Sequence, residues 1–390
     1  VQQRIGVSAM CQASTLDGVA NGWHRGPAVA RAVGGAGLFI AEATAVRADG
    51  RITPGCAGLW NDVQVEALIP INDFIKKQDC VAGIQIGHAG RKASAARPWD
   101  GGAHLADDAG GWPIIGPSDV AFDDDGVRLW KAPSAMSVQD IKDMQACFVD
   151  STKRALAAGY QFLEIHGAHG YLLHSFFTPL VNTRTDEYGG DIRNRARFML
   201  ETVDAVRAVW PEGLPLAVRL SAADWIEGGL TVEDNIQMAG WLKERGVDLV
   251  DCSGGGATPA ARASIGTRTA DQVGLAGRIR AEAGIGTMAV GAITEPAQAE
   301  AVIADGQADF VLMARQFMRE PYWPLRAAGE LGAEVKAHVA GAEGGRLYTS
   351  DAAGGPTRGR SGGRRLGAKT TVRLVGRSCT SEPPQVSMQS

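Results

Sequence analysis

The chain has 390 residues, 45% hydrophobic and 21% charged, with 39 Lys and Arg against 43 Asp and Glu for a formal net charge of -4. That balance excludes a disulfide miniprotein, a fibre and a wholly disordered chain, and the length suffices for a large core. Residues 341–390 hold eight of the basic and three of the acidic groups, so the remainder carries 31 against 40 and offers no basic stripe for nucleic acid.

Six cysteines, Cys11, Cys56, Cys80, Cys147, Cys252 and Cys379, are scattered without the close pairs of a zinc knuckle or a thioredoxin-like centre. They predict a reduced, cytoplasmic setting. No uninterrupted apolar stretch reaches the roughly 18 residues that a bilayer span needs, so no membrane is expected. The opening Val1-Gln2-Gln3-Arg4 has no signal-peptide pattern. It also lacks an initiating Met, which leaves a processed end or a fragment open.

Taken in chain order, apolar or β-branched runs at 5–9, 37–42 and 82–87 read as the first three strands. Residues 92–119 follow, with Pro98, Trp99, Gly101, Gly102, Gly110, Gly111, Trp112, Pro113 and Pro117. That much punctuation predicts a folded loop over one end of the sheet. Ser137 opens a helix running to about Ala158, with Gly159 as its stop. A strand over 161–166, a helix over 194–209 and a strand over 216–221 come next, then a helix opened by Thr231 with Asp234 three residues on. Strands at 247–252, 286–290 and 309–314 complete eight. Parallel strands need helices on their outer face, and eight such units close more readily as a TIM (β/α)8 barrel than as a wide open sheet. The expected organisation is one barrel over 1–339, with functional groups at the C-terminal strand ends. Residues 340–390, rich in Gly, Arg and Ser, form an atypical tail expected to be disordered or misassigned.

The most informative line is Glu164-Ile165-His166-Gly167-Ala168-His169-Gly170-Tyr171, where a buried strand ends and glycines let the backbone turn. Three readings stand side by side. The imidazoles bind zinc with His88 or His174 as a third ligand, as in a hydrolase. Or they donate hydrogen bonds to a substrate oxygen beside a proton-delivering phenol. Or they are satisfied polar residues under a loop.

The line continues through Leu172-Leu173-His174-Ser175-Phe176-Phe177, Asn182-Thr183-Arg184-Thr185-Asp186-Glu187-Tyr188-Gly189-Gly190 and Asn194-Arg195. With Ser8-Ala9-Met10-Cys11-Gln12, Val33-Gly34-Gly35-Ala36-Gly37, Glu42-Ala43-Thr44, Gly83-Ile84-Gln85-Ile86-Gly87-His88-Ala89-Gly90-Arg91-Lys92 and Ala314-Arg315, it resembles the old yellow enzyme family of FMN-dependent ene-reductases. The branch is that of the xenobiotic reductases, also called thermophilic-like. The resemblance covers about residues 4–335.

It implies bound FMN, reduced by NADPH or NADH, that passes hydride from flavin N5 to an activated alkene. His166 and His169 match the pair that binds the carbonyl or nitro oxygen, and Tyr171 matches the phenol that protonates the α-carbon. Gln85 matches a contact to the flavin pyrimidine edge and Arg219 the arginine near N1. Cys11 matches a redox-tuning cysteine, while Ser8, Ala9, Met10 and Ala43 line the cofactor. Gly291, Ala314 and Arg315 match the phosphate end. No metal is implied, and a homodimer or higher homo-oligomer is.

Several positions depart from the pattern. Ala13 stands where an aromatic residue, typically Tyr, borders the substrate, which implies a larger pocket. The segment Trp23-His24-Arg25-Gly26-Pro27-Ala28 is altered, and Pro27 is expected to shift the start of its helix because it has no N–H to donate. The usual hairpin before Arg4, and the usual C-terminal segment that reaches an active site, have no counterpart here. A flavin-binding barrel impaired by its ends is therefore a further alternative.

Overall fold

The computed structural model describes residues 3–122, 130–260 and 271–333, within which eight parallel strands close into a barrel. They are β1 (Ile5–Val7), β2 (Leu38–Ala45), β3 (Val81–Gly87), β4 (Phe162–Gly167), β5 (Leu216–Ser221), β6 (Leu249–Ser253), β7 (Gly286–Val290) and β8 (Phe310–Met313). Each pairs with its chain neighbours, and β1 closes the ring on β8 with Ile5 opposite Val311. Outside lie α1 (Gly22–Val33), α2 (Asp62–Lys77), α3 (Val138–Ala157), α4 (Ile192–Arg207), α5 (Val232–Lys243), α6 (Asp271–Ala283), α7 (Pro296–Ala304) and α8 (Trp323–Glu330). This is the TIM (β/α)8 architecture that the alternation predicts. The tail over 340–390 lies outside the described residues. No described helix is long and apolar enough to cross a membrane.

Local chemistry sets the helix ends. Ser137 with Asp140, and Thr231 with Asp234, form the capping boxes that open α3 and α5. Gly159, at φ +82°, takes the left-handed turn after α3 that a side chain would resist. α4 starts two residues before the sequence-based boundary because Asp191, rather than Asn194, is the cap and accepts from the Asn194 N–H. Pro27 sits inside α1 and does not set its start. That start belongs to Asn21, whose side chain caps the helix reciprocally with His24.

The C-terminal ends of two strands lie two or more residues from the sequence reading, and both differences serve the barrel mouth. β1 stops at Val7, so residues 8–11 leave the ladder after one further bond, from Ser8 N–H to the Met313 carbonyl. β2 runs on to Ala45 through a register shift between Ala41 and Thr44, a bulge that re-aims the side chains around Ala43.

The apolar core has two layers. Leu38, Ile40, Phe162, Ala217, Met288 and Leu312 cluster together on the strands, and a larger core lies between sheet and helices. The segment over 92–119 is a loop of short turns, with Ile115–Gly116 pairing Ser134–Ala135. Trp112 Nε1 donates to the Asp49 carbonyl at 2.9 Å and Arg97 Nε to the Ala13 carbonyl at 3.0 Å. These bonds tie the loop to the segments that follow β2 and β1.

Candidate active site

Buried strands carry few charges, because desolvating an ion is costly unless it is paired. This barrel nevertheless places Gln85, Glu164, Arg219 and Asp251 on neighbouring strands, all at most 7% exposed. Strand register brings them together: Gln85 lies opposite Glu164, His166 opposite Arg219, and Arg219 opposite Asp251. Gln85 Nε2 donates to Glu164 Oε1 at 2.6 Å. Arg219 Nε lies 3.1 Å from Asp251 Oδ2, and its Nη1 donates to Ser8 Oγ at 3.1 Å. Burial first, then Asp251, pushes the Glu164 carboxyl up to about 8. Burial likewise raises Asp251. Glu164 therefore keeps its proton at neutral pH, and one carboxylate faces one guanidinium.

The paired imidazoles stand beside this belt. His166 is the last residue but one of β4, and the turn after the strand puts His169 at φ +61° and Gly170 at φ +74°. A Cβ on Gly170 would lie 2.2 Å from the Gly256 carbonyl, so the close passage of these two loops requires glycine. His166 Nε2 and His169 Nδ1 are 3.5 Å apart, with the rings at 88°. Burial, with Arg219 next, holds both imidazoles well below their usual range, so both are neutral. His166 Nδ1 accepts the Ala168 N–H at 3.3 Å, which places the imidazole proton on Nε2. His169 Nε2 is 2.7 Å from Ser253 Oγ, and its backbone N–H donates to Ser221 Oγ. When Ser253 donates, His169 carries its proton on Nδ1, and two N–H groups converge on one point. The Tyr171 ring packs edge-on to His166 at 4.9 Å. Ala43, His166 and Tyr171 line a common cleft.

His88 and His174 do not join the pair. His88 faces Asp49 at 3.5 Å and accepts from the Gly90 N–H, and His174 faces Asp224 at 3.3 Å and accepts from the Gly170 N–H. Among the described residues no group of three potential ligands assembles, so the three-histidine zinc reading is without support here.

Ser8, Ala9, Met10 and Cys11 follow β1. Gly291, at φ +113°, follows β7, and Ala314 and Arg315 follow β8, the last of these exposed. All belong to the C-terminal side of the barrel. Ala13 is buried at φ +50°, held by Arg97. Four functional candidates were not assigned from the sequence: Glu164, Asp251, Ser253 and Cys56. The first two had a faint signal, a charge inside an otherwise apolar strand. Cys56 had none. It hydrogen-bonds Cys11 and Thr53, and the bond from Cys11 leads in pulling its thiol down to about 7 while Cys11 is held well up.

Comparisons with known proteins show the family and the fold. Residues 1–334 match the model of the NADH:flavin oxidoreductase / NADH oxidase family. An NADPH dehydrogenase of Geobacillus sp. (strain WCH70) is 43% identical over 341 residues, covering 87% of this chain and 93% of the relative. One from Bacillus subtilis (strain 168) is 40% identical, covering 87% and 94%. Among solved structures, morphinone reductase in complex with tetrahydroNAD is 25% identical at a TM-score of 0.66, over 84% of this chain and 86% of that one. A 2-naphthoyl-CoA reductase complex shares the fold at a TM-score of 0.74 and 24% identity, over 84% of this chain and 50% of its own. The chain belongs to the NADH:flavin oxidoreductase / NADH oxidase family, the old yellow enzymes.

Proposed function

We propose that this protein is an FMN-dependent reductase of activated C=C bonds in enones, enals, maleimides or nitroalkenes, with NADPH or NADH as electron donor. The observation that carries the reading is the convergence of His166 Nε2 and His169 Nδ1, 3.5 Å apart and both neutral, beside the Tyr171 phenol. Two neutral N–H donors suit an oxygen that gains negative charge as the alkene is reduced. The Tyr171 hydroxyl carries a proton that it can deliver to carbon as an acid.

The residues fit a flavin mononucleotide. Arg219 is clamped by Asp251 and Ser8, so its Nη2 has no protein partner among the described residues. A fixed buried cation of this kind favours an anionic ring edge. Gln85 gives one amide hydrogen to Glu164 and keeps its other hydrogen and its carbonyl for the same ring. Gly291, at φ +113°, and Arg315 stand after neighbouring strands, where barrels of this type hold phosphate. When bound, FMN supplies the hydride. The chain's own residues hold the alkene oxygen through His166 and His169 and deliver a proton from Tyr171.

The test separates the half-reactions. Tyr171→Phe is expected to slow alkene reduction by about 10²-fold or more while reduction of the flavin by NADPH changes by less than about twofold. Equal slowing of both half-reactions in stopped flow removes Tyr171 from the proton-donor role.

A further inference from the structure

A cavity apart from the His166–His169 pair lies in the layer between sheet and helices and reaches Ser8 and Met10 at the end of β1. Outward-facing residues of β4 and β5, Leu163, Ile165, Val218 and Leu220, are all 0% exposed beneath their helices. On β2 the corresponding Phe39 and Ala41 remain partly accessible, although α1 and α2 lie above them. The cause is the inner face of α1. Its buried residues are Ala28, Arg31 and Ala32, where α3 buries Ile141, Met144 and Phe148. The deficit leaves a cavity open to solvent, with Phe39 and Ala41 on one wall, Ala28 and Arg31 on the second, and Leu68 and Ile71 of α2 on the third.

Two side chains on this wall have buried polar atoms with neither a hydrogen bond nor an ion-pair contact. Arg31 is 8% exposed and gives Nη1 to the Pro27 carbonyl at 2.9 Å, but its Nε has none. No described carboxylate lies within ion-pairing distance of it, and burial alone acts on its ionisation, lowering it. Asn72, 1% exposed, uses its amide nitrogen on the Ala158 carbonyl and leaves Oδ1 unpaired. The other ionisable side chains on the wall are Glu42 and His24, 3.2 Å apart, and Glu42 also accepts the Gln12 N–H. A buried cation without an anion, facing an apolar chamber, is costly unless something supplies the missing charge.

We propose that this cavity is a second ligand site, distinct from the histidine cleft, that takes an apolar carboxylate of small-molecule size. The carboxylate sits on Arg31 and the hydrocarbon body fills the space against Phe39, Ala41, Leu68 and Ile71. Asn72 Oδ1 accepts from a hydroxyl where the ligand carries one.

The test is calorimetric titration of the purified FMN-loaded protein with octanoate, below its micellar range, and with octanamide as the uncharged control. Octanoate is expected to bind one per chain and to raise the melting temperature. Arg31→Met is expected to weaken octanoate at least tenfold while changing octanamide by less than threefold. Ala28→Leu and, from the opposite wall, Ala41→Leu fill the space and are expected to abolish both. Two fillers on different elements guard against one of them failing to fold, which circular dichroism checks. No binding of octanoate, or binding that survives in a folded filling variant or is unchanged by Arg31→Met, overturns the proposal.

Discussion

Ser253 shows how much a single hydroxyl decides at this site. A neutral imidazole has one proton, and which nitrogen holds it depends on the partner of the other. His169 Nε2 lies 2.7 Å from Ser253 Oγ, so a donating hydroxyl there leaves Nδ1–H free to point where His166 Nε2 also points. Ser253→Ala removes that selection without removing an imidazole. It is expected to raise KM for cyclohexenone by about tenfold, the effect of one neutral hydrogen bond, with Ser253→Thr restoring it. Nitrogen NMR of the imidazoles should show the Nδ1–H population of His169 falling in the Ala variant and returning in the Thr variant. An unchanged tautomer would reduce Ser253 to packing. Neither this serine nor its role was visible in the sequence, because Ser253 is 84 positions from His169 and only the barrel joins them.

At the scale of elements, the turn after β4 carries the site. Gly170→Ala puts a Cβ 2.2 Å from the Gly256 carbonyl at a φ of +74°, so both backbone segments must move. We expect a loss of about 1–3 kcal/mol in urea unfolding together with a fall in alkene turnover, since His169 moves with the turn. Thr231→Ala, which removes the α5 cap, is the control: about 1 kcal/mol of stability with turnover unchanged. A Gly170→Ala protein with native stability and turnover would show that the loops do not meet there. These elements were legible to different degrees for physical reasons. Strands buried on both faces, such as Leu216–Ser221, stand out as apolar runs, and the bounds over 216–221 and 286–290 match the structure. The bulge in β2 left no mark on composition. The underfilled face of α1 was also hidden, because small residues signal a void only once the opposing wall is known.

For the molecule as a whole, the buried charges write a pH dependence. Glu164 holds its proton up to about 8 in the fold but releases it near 4.5 when unfolded. The native state then binds more protons over that window, and this contribution to stability is lost as pH rises. His166 and His169 run the other way. They are neutral in the fold and take up protons when unfolded below about pH 6.5, so their contribution is lost as pH falls. Between pH 6.5 and 8 only the Glu164 contribution remains among these three. The pH slope of the urea midpoint across that range should be more negative in the native sequence than in Glu164→Gln, because Cys56, held at about 7 in the fold, acts in the opposite sense in both. An equal slope in the two proteins would assign the dependence to other groups. The eight-stranded barrel and the histidine pair were readable from one sequence because each is written in contiguous residues. The belt of Glu164, Asp251 and Arg219 was not, because its members come from three strands and meet only through register.

The central claim is that the C-terminal face of this barrel holds FMN and uses it to move electrons from a nicotinamide nucleotide to an activated alkene. Anaerobic stopped flow on the purified protein tests it most directly, after incubation with excess FMN and removal of what is unbound. The account predicts about one FMN per chain, bleaching of its visible band by NADPH or NADH, and its return on adding cyclohexenone, maleimide or a nitroalkene. A protein that stays colourless after incubation, or a bleached band that no activated alkene restores, would contradict it.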